Sequence, residues 1–112
     1  MQSVEIFTDG GCKGNPGPGG YGCIIRESGK VWELKGSNPN TTNNIMEMTA
    51  AIVALRELSK PYEVTLTTDS QYLVKGITEW IHGWIKKGWV NASRQPVKNK
   101  ELWQELYQLS QK

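Results

Sequence analysis

The 112-residue sequence holds two cysteines, one histidine and no apolar run near the ~20 residues that a membrane-spanning helix requires. A helical membrane protein is therefore not expected. Cys12 and Cys23 supply neither the framework of a disulfide-stapled domain nor the paired spacing of a structural zinc site, which agrees with a reducing compartment. The N-terminal MQSVEIFT lacks a basic segment followed by an apolar one, so no secretion signal is read there and the cytoplasm is the expected location. Repeats and low-complexity tracts are also missing. At this length one domain around one core is expected. Acid is missing from one place in particular. Between Trp80 and Lys100 lie Lys86, Lys87, Arg94, Lys98 and Lys100 with no Asp or Glu, which leaves the remainder of the +2 chain at −3. A basic face on a mildly acidic body suits a polyanionic partner.

What is present has a clear order. Val4, Ile6 and Thr8 alternate along a first strand that is expected to stop at Asp9. A bend rich in glycine, proline and asparagine follows. YGCIIRES and KVWELKGS then read as two strands around Ser28-Gly29-Lys30, making an antiparallel meander. SNPNTTNN is expected as a loop, with Thr42 or Asn43 as helix cap. IMEMTAAIVALRELS carries apolar residues at helical spacing and should run to Lys60-Pro61. YEVTLTT alternates as a fourth strand and ends on Asp69, with Ser70 as the next cap. Strand, helix, strand implies a right-handed crossover and hence a parallel pair. Ile77, Ile81 and Ile85 suggest the inward stripe of one helix ending near Gly88, and Trp80 is expected in the core. Trp89 to Asn99 reads as loop, and Leu102, Leu106 and Leu109 as the inner face of a last helix. The expected class is α/β, a mixed sheet flanked by helices.

Three acids stand where that fold would gather them. Asp9 and Asp69 end strands whose carboxyl ends point the same way, the usual ligand end of an open α/β sheet. Glu47 lies in the first turn of the crossover helix between Met46 and Met48, an apolar setting for a charge. Converging carboxylates repel one another unless cations sit among them, and an all-oxygen set favours Mg²⁺ or Mn²⁺ over zinc. Each acid also has a local reading, as turn residue, helix cap or dipole partner. Gly17, Gly19 and Gly22 match G-x-G-x-x-G, but the pattern leads into a strand where a dinucleotide site needs a helix. The glycine loop instead lets a phosphodiester backbone come close, with Asn15 as a polar contact.

Together IFTDGGCKGNPGPGGYG, TTNNIMEMTAAIVAL, TTDSQYLVKGITEWIHGWIKKGW and PVKNKELWQEL are similar to bacterial ribonuclease H of type 1, in order and over essentially the whole chain. The resemblance implies a five-stranded mixed sheet flanked by helices and two-Mg²⁺ hydrolysis of the RNA strand of RNA–DNA hybrids, giving 3′-hydroxyl and 5′-phosphate ends. It implies catalytic, metal-holding roles for Asp9, Glu47 and Asp69. It places Gly10, Cys12, Asn15, Asn43, Asn44 and Gln71 along the minor groove of the hybrid, and Thr42 near a DNA phosphate. Trp84, Lys86, Lys87, Trp89, Lys98 and Lys100 would form a basic protrusion against the DNA strand. Trp84 could equally be partial core and each lysine a solvated charge. His82 is expected at the surface, since it does not match the family's histidine.

The resemblance also implies parts that these 112 residues do not contain: a fifth strand, a loop bearing a histidine, a fourth aspartate and a closing helix. The chain is thus expected to be one ribonuclease H-like domain over 1–112, incomplete at its C-terminus relative to the family. It should hold one ion better than two, leave an edge of the fourth strand bare, and cleave more slowly than a complete relative. A hybrid-binding module without turnover is the alternative. Besides the hybrid, a strand-swapped dimer or a complementing C-terminal segment is an expected partner.

Overall fold

The computed structural model describes residues 3–14, 16–58, 62–91 and 93–110. Four strands form one sheet: β1 (Ser3–Cys12), β2 (Gly17–Glu27), β3 (Lys30–Thr41) and β4 (Glu63–Thr67), in the order β3-β2-β1-β4. β1 pairs antiparallel with β2 and parallel with β4, and β2 pairs antiparallel with β3. This is the expected meander with one parallel strand. Val4, Ile6 and Thr8 are buried on one face of β1 while Ser3 and Glu5 point outward, as the alternation requires. Ser28 (φ 47°) and Gly29 (φ 84°) both take positive φ, the two-residue hairpin turn whose twist matches the strands it joins.

The crossover helix α1 (Asn43–Arg56) starts at Thr42, whose Oγ1 accepts the Ile45 N–H at 3.1 Å. Its small residues Ala50, Ala51 and Ala54 are buried, which lets the helix lie close to the sheet. Val4, Ile6, Cys23 and Ile25 form a core with Ala54 beneath it. A second core joins Met48 and Ile52 to Leu73, Ile81, Trp103 and Leu106, between α1, the helices after β4 and α4 (Lys100–Ser110). No helix among the described residues is long and apolar enough to cross a membrane.

Several expectations change. The glycine-rich segment and SNPNTT are not loops: β1 runs on to Cys12, β2 begins at Gly17 and β3 reaches Thr41. Glycines carry no alternation to read, yet here they allow close pairing. A Cβ at Gly19 would stand 2.6 Å from the Gly11 carbonyl and 2.7 Å from Thr41 Cγ2. α1 stops at Arg56, and the expected terminator Lys60-Pro61 lies outside the described residues.

The helix after Asp69 is not continuous. It comprises α2 (Gln71–Lys75), a π-helical turn (Gly76–Trp80) and α3 (Ile81–Lys86), with the Ile81 N–H reaching back five residues to the Gly76 carbonyl. The wide turn in effect inserts a residue and re-phases α3 relative to α2, so no single stripe runs through both. Ile81 stays fully buried, Ile85 is 39% exposed, and Trp80, expected inside, is 41% exposed. Trp84 takes the vacated inward direction, its ring centroid 5.5 Å from that of Trp103.

Candidate active site

The parallel pairing sets the site. Phe7 is level with Thr67 in the register of β1 and β4, so two residues further along Asp9 comes level with Asp69 at the same end of the sheet. α1 returns across this end and delivers Glu47 from its first turns. One carboxylate oxygen from each of Asp9, Glu47 and Asp69 falls in a group whose members all lie within 4.8 Å of one another. Asp9 and Asp69 are exposed and Glu47 is only 7% exposed. The three acids expected to meet do meet.

Glu47 is held from both sides. The Gly10 N–H donates to Oε1 at 3.2 Å, and the Thr68 hydroxyl donates to Oε2 at 3.3 Å. Thr68 Oγ1 in turn accepts the Ser70 N–H at 3.1 Å, and Ser70 Oγ caps α2 by accepting the Leu73 N–H at 3.1 Å. Gly10 must be glycine for this approach, because a Cβ there would sit 2.7 Å from the Met46 carbonyl carbon and 2.8 Å from the Glu47 nitrogen. Burial raises the Glu47 pKa above its ordinary 4.5; the Gly10 hydrogen bond opposes the rise, and the charges of Asp69 and Asp9 add to it.

Such a carboxylate, desolvated and beside two others, has no ion-pair partner among the described residues. The donor set, three hard oxygens at one edge, fits a divalent cation of the magnesium type. Among the described residues the group numbers these three. A shallow hollow of about 310 Å³ opens beside it, lined by Asp9, Gly10, Gly11, Gly20, Tyr21 and Gly22. Scarcely any side chain stands between that hollow and the backbone, as the glycine run requires. A larger hollow of about 850 Å³ lies along β4, which has a strand partner on one side only among the described residues. Its walls are mostly aliphatic, including Leu55, Val64, Leu66, Ile77 and Leu106, with Arg56, Tyr62, Thr68, Thr78 and Ser110 among them but no acid, so it is not the seat of this chemistry.

The other expected contact residues are distributed as follows. Gly10 and Cys12 lie on β1, and the Cys12 N–H donates to Asn43 Oδ1 at 2.8 Å, so Asn43 ties the glycine segment to the start of α1. Thr42 is the cap already described; Asn44 is half-buried and Gln71 exposed at the head of α2. Asn15 lies outside the described residues. Lys86, Lys87 and Lys98 are exposed, Lys100 half-buried at the start of α4, and His82 exposed as expected. Trp84 and Trp89 are half-buried, their rings 6.3 Å apart, in a row that continues from Trp84 to Trp80 at 6.1 Å. Of these tryptophans Trp80 is the one that projects furthest into solvent.

Two polar residues escape a reading of the sequence alone. Thr68 contacts Glu47, and its only signal was a hydroxyl residue directly before an aspartate at a strand end. Tyr72 Oη accepts from both Asn99 Nδ2 (3.3 Å) and Trp103 Nε1 (3.2 Å), tying α2 to α4. Nothing local in the sequence pairs residues 27 and 31 positions apart.

The RNase H family model matches residues 1–112. Ribonuclease H of Geotalea uraniireducens (strain Rf4) is 64% identical over 107 residues, which cover 96% of this chain and 73% of that one. Ribonuclease H of Pelobacter propionicus (strain DSM 2379) is 59% identical over 107 residues, 96% of this chain and 66% of the relative. Among solved structures, LC9-RNase H1, a type 1 RNase H with the type 2 active-site motif, superposes with a TM-score of 0.83 at 34% identity, over 97% of this chain and 58% of its own. LC11-RNase H1 in complex with RNA/DNA hybrid gives 0.72 at 29% identity, over 96% and 76%. This chain thus spans roughly two thirds to three quarters of the curated relatives it matches and 58% of the LC9 chain. With the antiparallel meander and parallel strand that its sequence implied, three acids gathered where the parallel pairing ends, and likeness along its whole length, the chain belongs to the ribonuclease H family.

Proposed function

We propose that this domain hydrolyses the RNA strand of RNA–DNA hybrids, leaving 3′-hydroxyl and 5′-phosphate ends, at a divalent-cation site held by Asp9, Glu47 and Asp69. The observation that carries the reading is the convergence of those three carboxylates within 4.8 Å. Mg²⁺ is the first choice of ion and Mn²⁺ a substitute. The chemistry that a pair of such ions supplies is activation of a water on one side of the phosphate and stabilisation of the leaving 3′-oxygen on the other.

The chain's own residues supply the placement. Glu47 is held by two hydrogen bonds, while Asp9, within β1, and Asp69, just past the end of β4, stand exposed, where a phosphate can reach them. The bare backbone at Gly10, Gly11, Gly20 and Gly22 allows close approach of the sugar-phosphate chain. Short amides, Asn44 and Gln71, are suited to 2′-hydroxyls in a shallow minor groove, the contact that tells RNA from DNA. Lys86, Lys87, Lys98 and Lys100, with Trp84 and Trp89, would hold the DNA strand without regard to sequence. The hybrid bound to LC11-RNase H1, a relative of the same fold, supports this substrate class.

A second reading, hybrid binding with little turnover, is favoured by one observation: the described cluster has three carboxylates, which suits one ion better than two. A labelled RNA–DNA duplex incubated with the chain in Mg²⁺ and in Mn²⁺, with Asp9→Asn as control, separates the readings. Cleavage abolished by Asp9→Asn supports the enzyme. Binding without cleavage in either ion supports the module, and a partner supplying a further segment or a swapped strand would then be sought by whether it restores cutting.

A further inference from the structure

The hydroxyl of Thr68 has its two functions fixed by its neighbours. Its lone pair takes the Ser70 N–H at 3.1 Å, so its hydrogen is directed to the remaining acceptor, Glu47 Oε2, at 3.3 Å. Thr68 immediately precedes Asp69. The turn that presents one carboxylate of the cluster therefore also grips a second, which comes from α1 and is 21 residues away in the chain. The grip is backed by the Ser70 cap, which anchors the same turn to α2. From the other side the Gly10 N–H, next to Asp9, holds Oε1 at 3.2 Å. Each exposed aspartate thus has a neighbour in sequence that clasps one oxygen of Glu47.

We infer that Thr68 is a positioning residue that sets the spacing of the Glu47 and Asp69 carboxylates, and through it the affinity for a divalent cation. The inference rests on the cation-site reading above. Without the hydroxyl, Oε2 of a nearly buried carboxylate loses a donor, and the side chain can turn about its terminal torsion. Partners that orient metal-holding groups commonly change metal affinity by about tenfold or more when removed.

The test compares Mg²⁺ affinity, by titration calorimetry and by the metal-dependent rise in melting temperature, in the unaltered chain, Thr68→Val, Thr68→Ser and Asp9→Asn. Thr68→Val keeps the shape and removes the hydroxyl; Thr68→Ser keeps the hydroxyl. The expected result is a Mg²⁺ dissociation constant raised about tenfold by Thr68→Val and returned to near the starting value by Thr68→Ser. Introducing Thr68→Val into a Glu47→Gln background should then change the affinity little, because the effect runs through Glu47. The melting temperature in EDTA reports separately the cost of leaving the Ser70 N–H without its acceptor. A Thr68→Val chain that melts earlier in EDTA yet binds Mg²⁺ as before overturns the inference, and so does an unchanged Thr68→Val effect in the Glu47→Gln background. Should Thr68→Val fail to fold, weak Mg²⁺ binding by Thr68→Ser overturns it. Equal affinity in the unaltered chain and Asp9→Asn would sink the cation-site reading itself, a distinguishable outcome.

Discussion

The Gly10 amide reaches Glu47 Oε1 at 3.2 Å across 37 residues of sequence, joining the end of the central strand to the first turns of the crossover helix. That hydrogen bond exists because Gly10 has no side chain. Strand and helix touch backbone to backbone here, and the acid is delivered between them.

Gly10→Ala should therefore be costly where Gly11→Ala is not. A Cβ at Gly10 meets three backbone atoms of Met46 and Glu47 within 2.9 Å, whereas at Gly11 the nearest atom is Asn43 Oδ1 at 3.7 Å, an ordinary van der Waals distance. Overpacking of this kind costs ~1 to 3 kcal/mol. Urea denaturation of the two variants checks it. Equal midpoints would mean that α1 moves aside without penalty.

Replacing Glu47 with Gln should remove a pH dependence from the stability of the metal-free fold. Burial, with Asp69 and Asp9 adding, raises the folded-state pKa above the ordinary 4.5 that the unfolded chain retains. The folded state therefore binds the Glu47 proton more tightly than the unfolded one. The stability linked to that proton is fully present below 4.5 and is lost as pH rises through the higher folded value. In EDTA, the midpoint of Glu47→Gln minus that of the unaltered chain should grow as pH rises through this window. A difference flat with pH would show the carboxylate to be well solvated.

How much of this was legible depends on whether a residue's partners are local. Val4, Ile6 and Thr8 announced β1 through their alternation, and the order strand, helix, strand was enough to make β4 parallel and so to bring Asp9 and Asp69 together. Glu47 could be suspected from its apolar flanks. The π turn could not, because nothing local marks it: Gly76, its first residue, packs against the Trp103 indole of the distant last helix, while a helix-period reading of Ile77, Ile81 and Ile85 placed Ile85 inside, and Trp80 was separately expected in the core. Strand pairing among glycines was equally silent, since pairing of Gly19 and Gly20 with Cys12 and Gly11 leaves no side-chain pattern.

Gly76→Ala should damage the second core. Its Cβ would fall within the envelope of the Trp103 ring, and that ring is fully buried between α1 and the π turn, with nowhere to retreat. A loss of at least ~1 to 3 kcal/mol is expected, with a change in tryptophan fluorescence as Trp103 and its neighbour Trp84 shift. A melting temperature and emission spectrum unchanged from those of the unaltered chain would contradict this packing.

Cys23 should resist alkylation where Cys12 does not. Cys23 is 2% exposed, and burial pushes its thiol pKa up from 9.0, so little thiolate forms and reagent cannot reach it. Cys12 is partly exposed on the far end of β1. Iodoacetamide followed by peptide mass mapping should label Cys12 first in the folded chain and both after urea. Early labelling of Cys23 would mean that the sheet opens against α1 far more readily than its packing implies.

The basic segment makes the prediction that bears most directly on substrate. Lys86 and Lys87 close α3 and stand in solvent, with Lys98 on the loop that leads to α4. If they neutralise phosphates, each releases counterions on binding, and the logarithm of affinity falls with the logarithm of salt by about 0.9 per phosphate neutralised. Lys86→Ala with Lys87→Ala should then weaken hybrid binding at low salt and flatten the salt slope by about one for each lysine that had faced a phosphate. The same change should leave the preference for hybrid over duplex DNA unaltered, because phosphates are common to both. Lys30→Ala, at the exposed start of β3 and outside the basic segment, is the control. Fluorescence anisotropy across a salt series reads all three. A double variant with the original slope would make these lysines solvated charges and move the anchor for the DNA strand elsewhere on the domain.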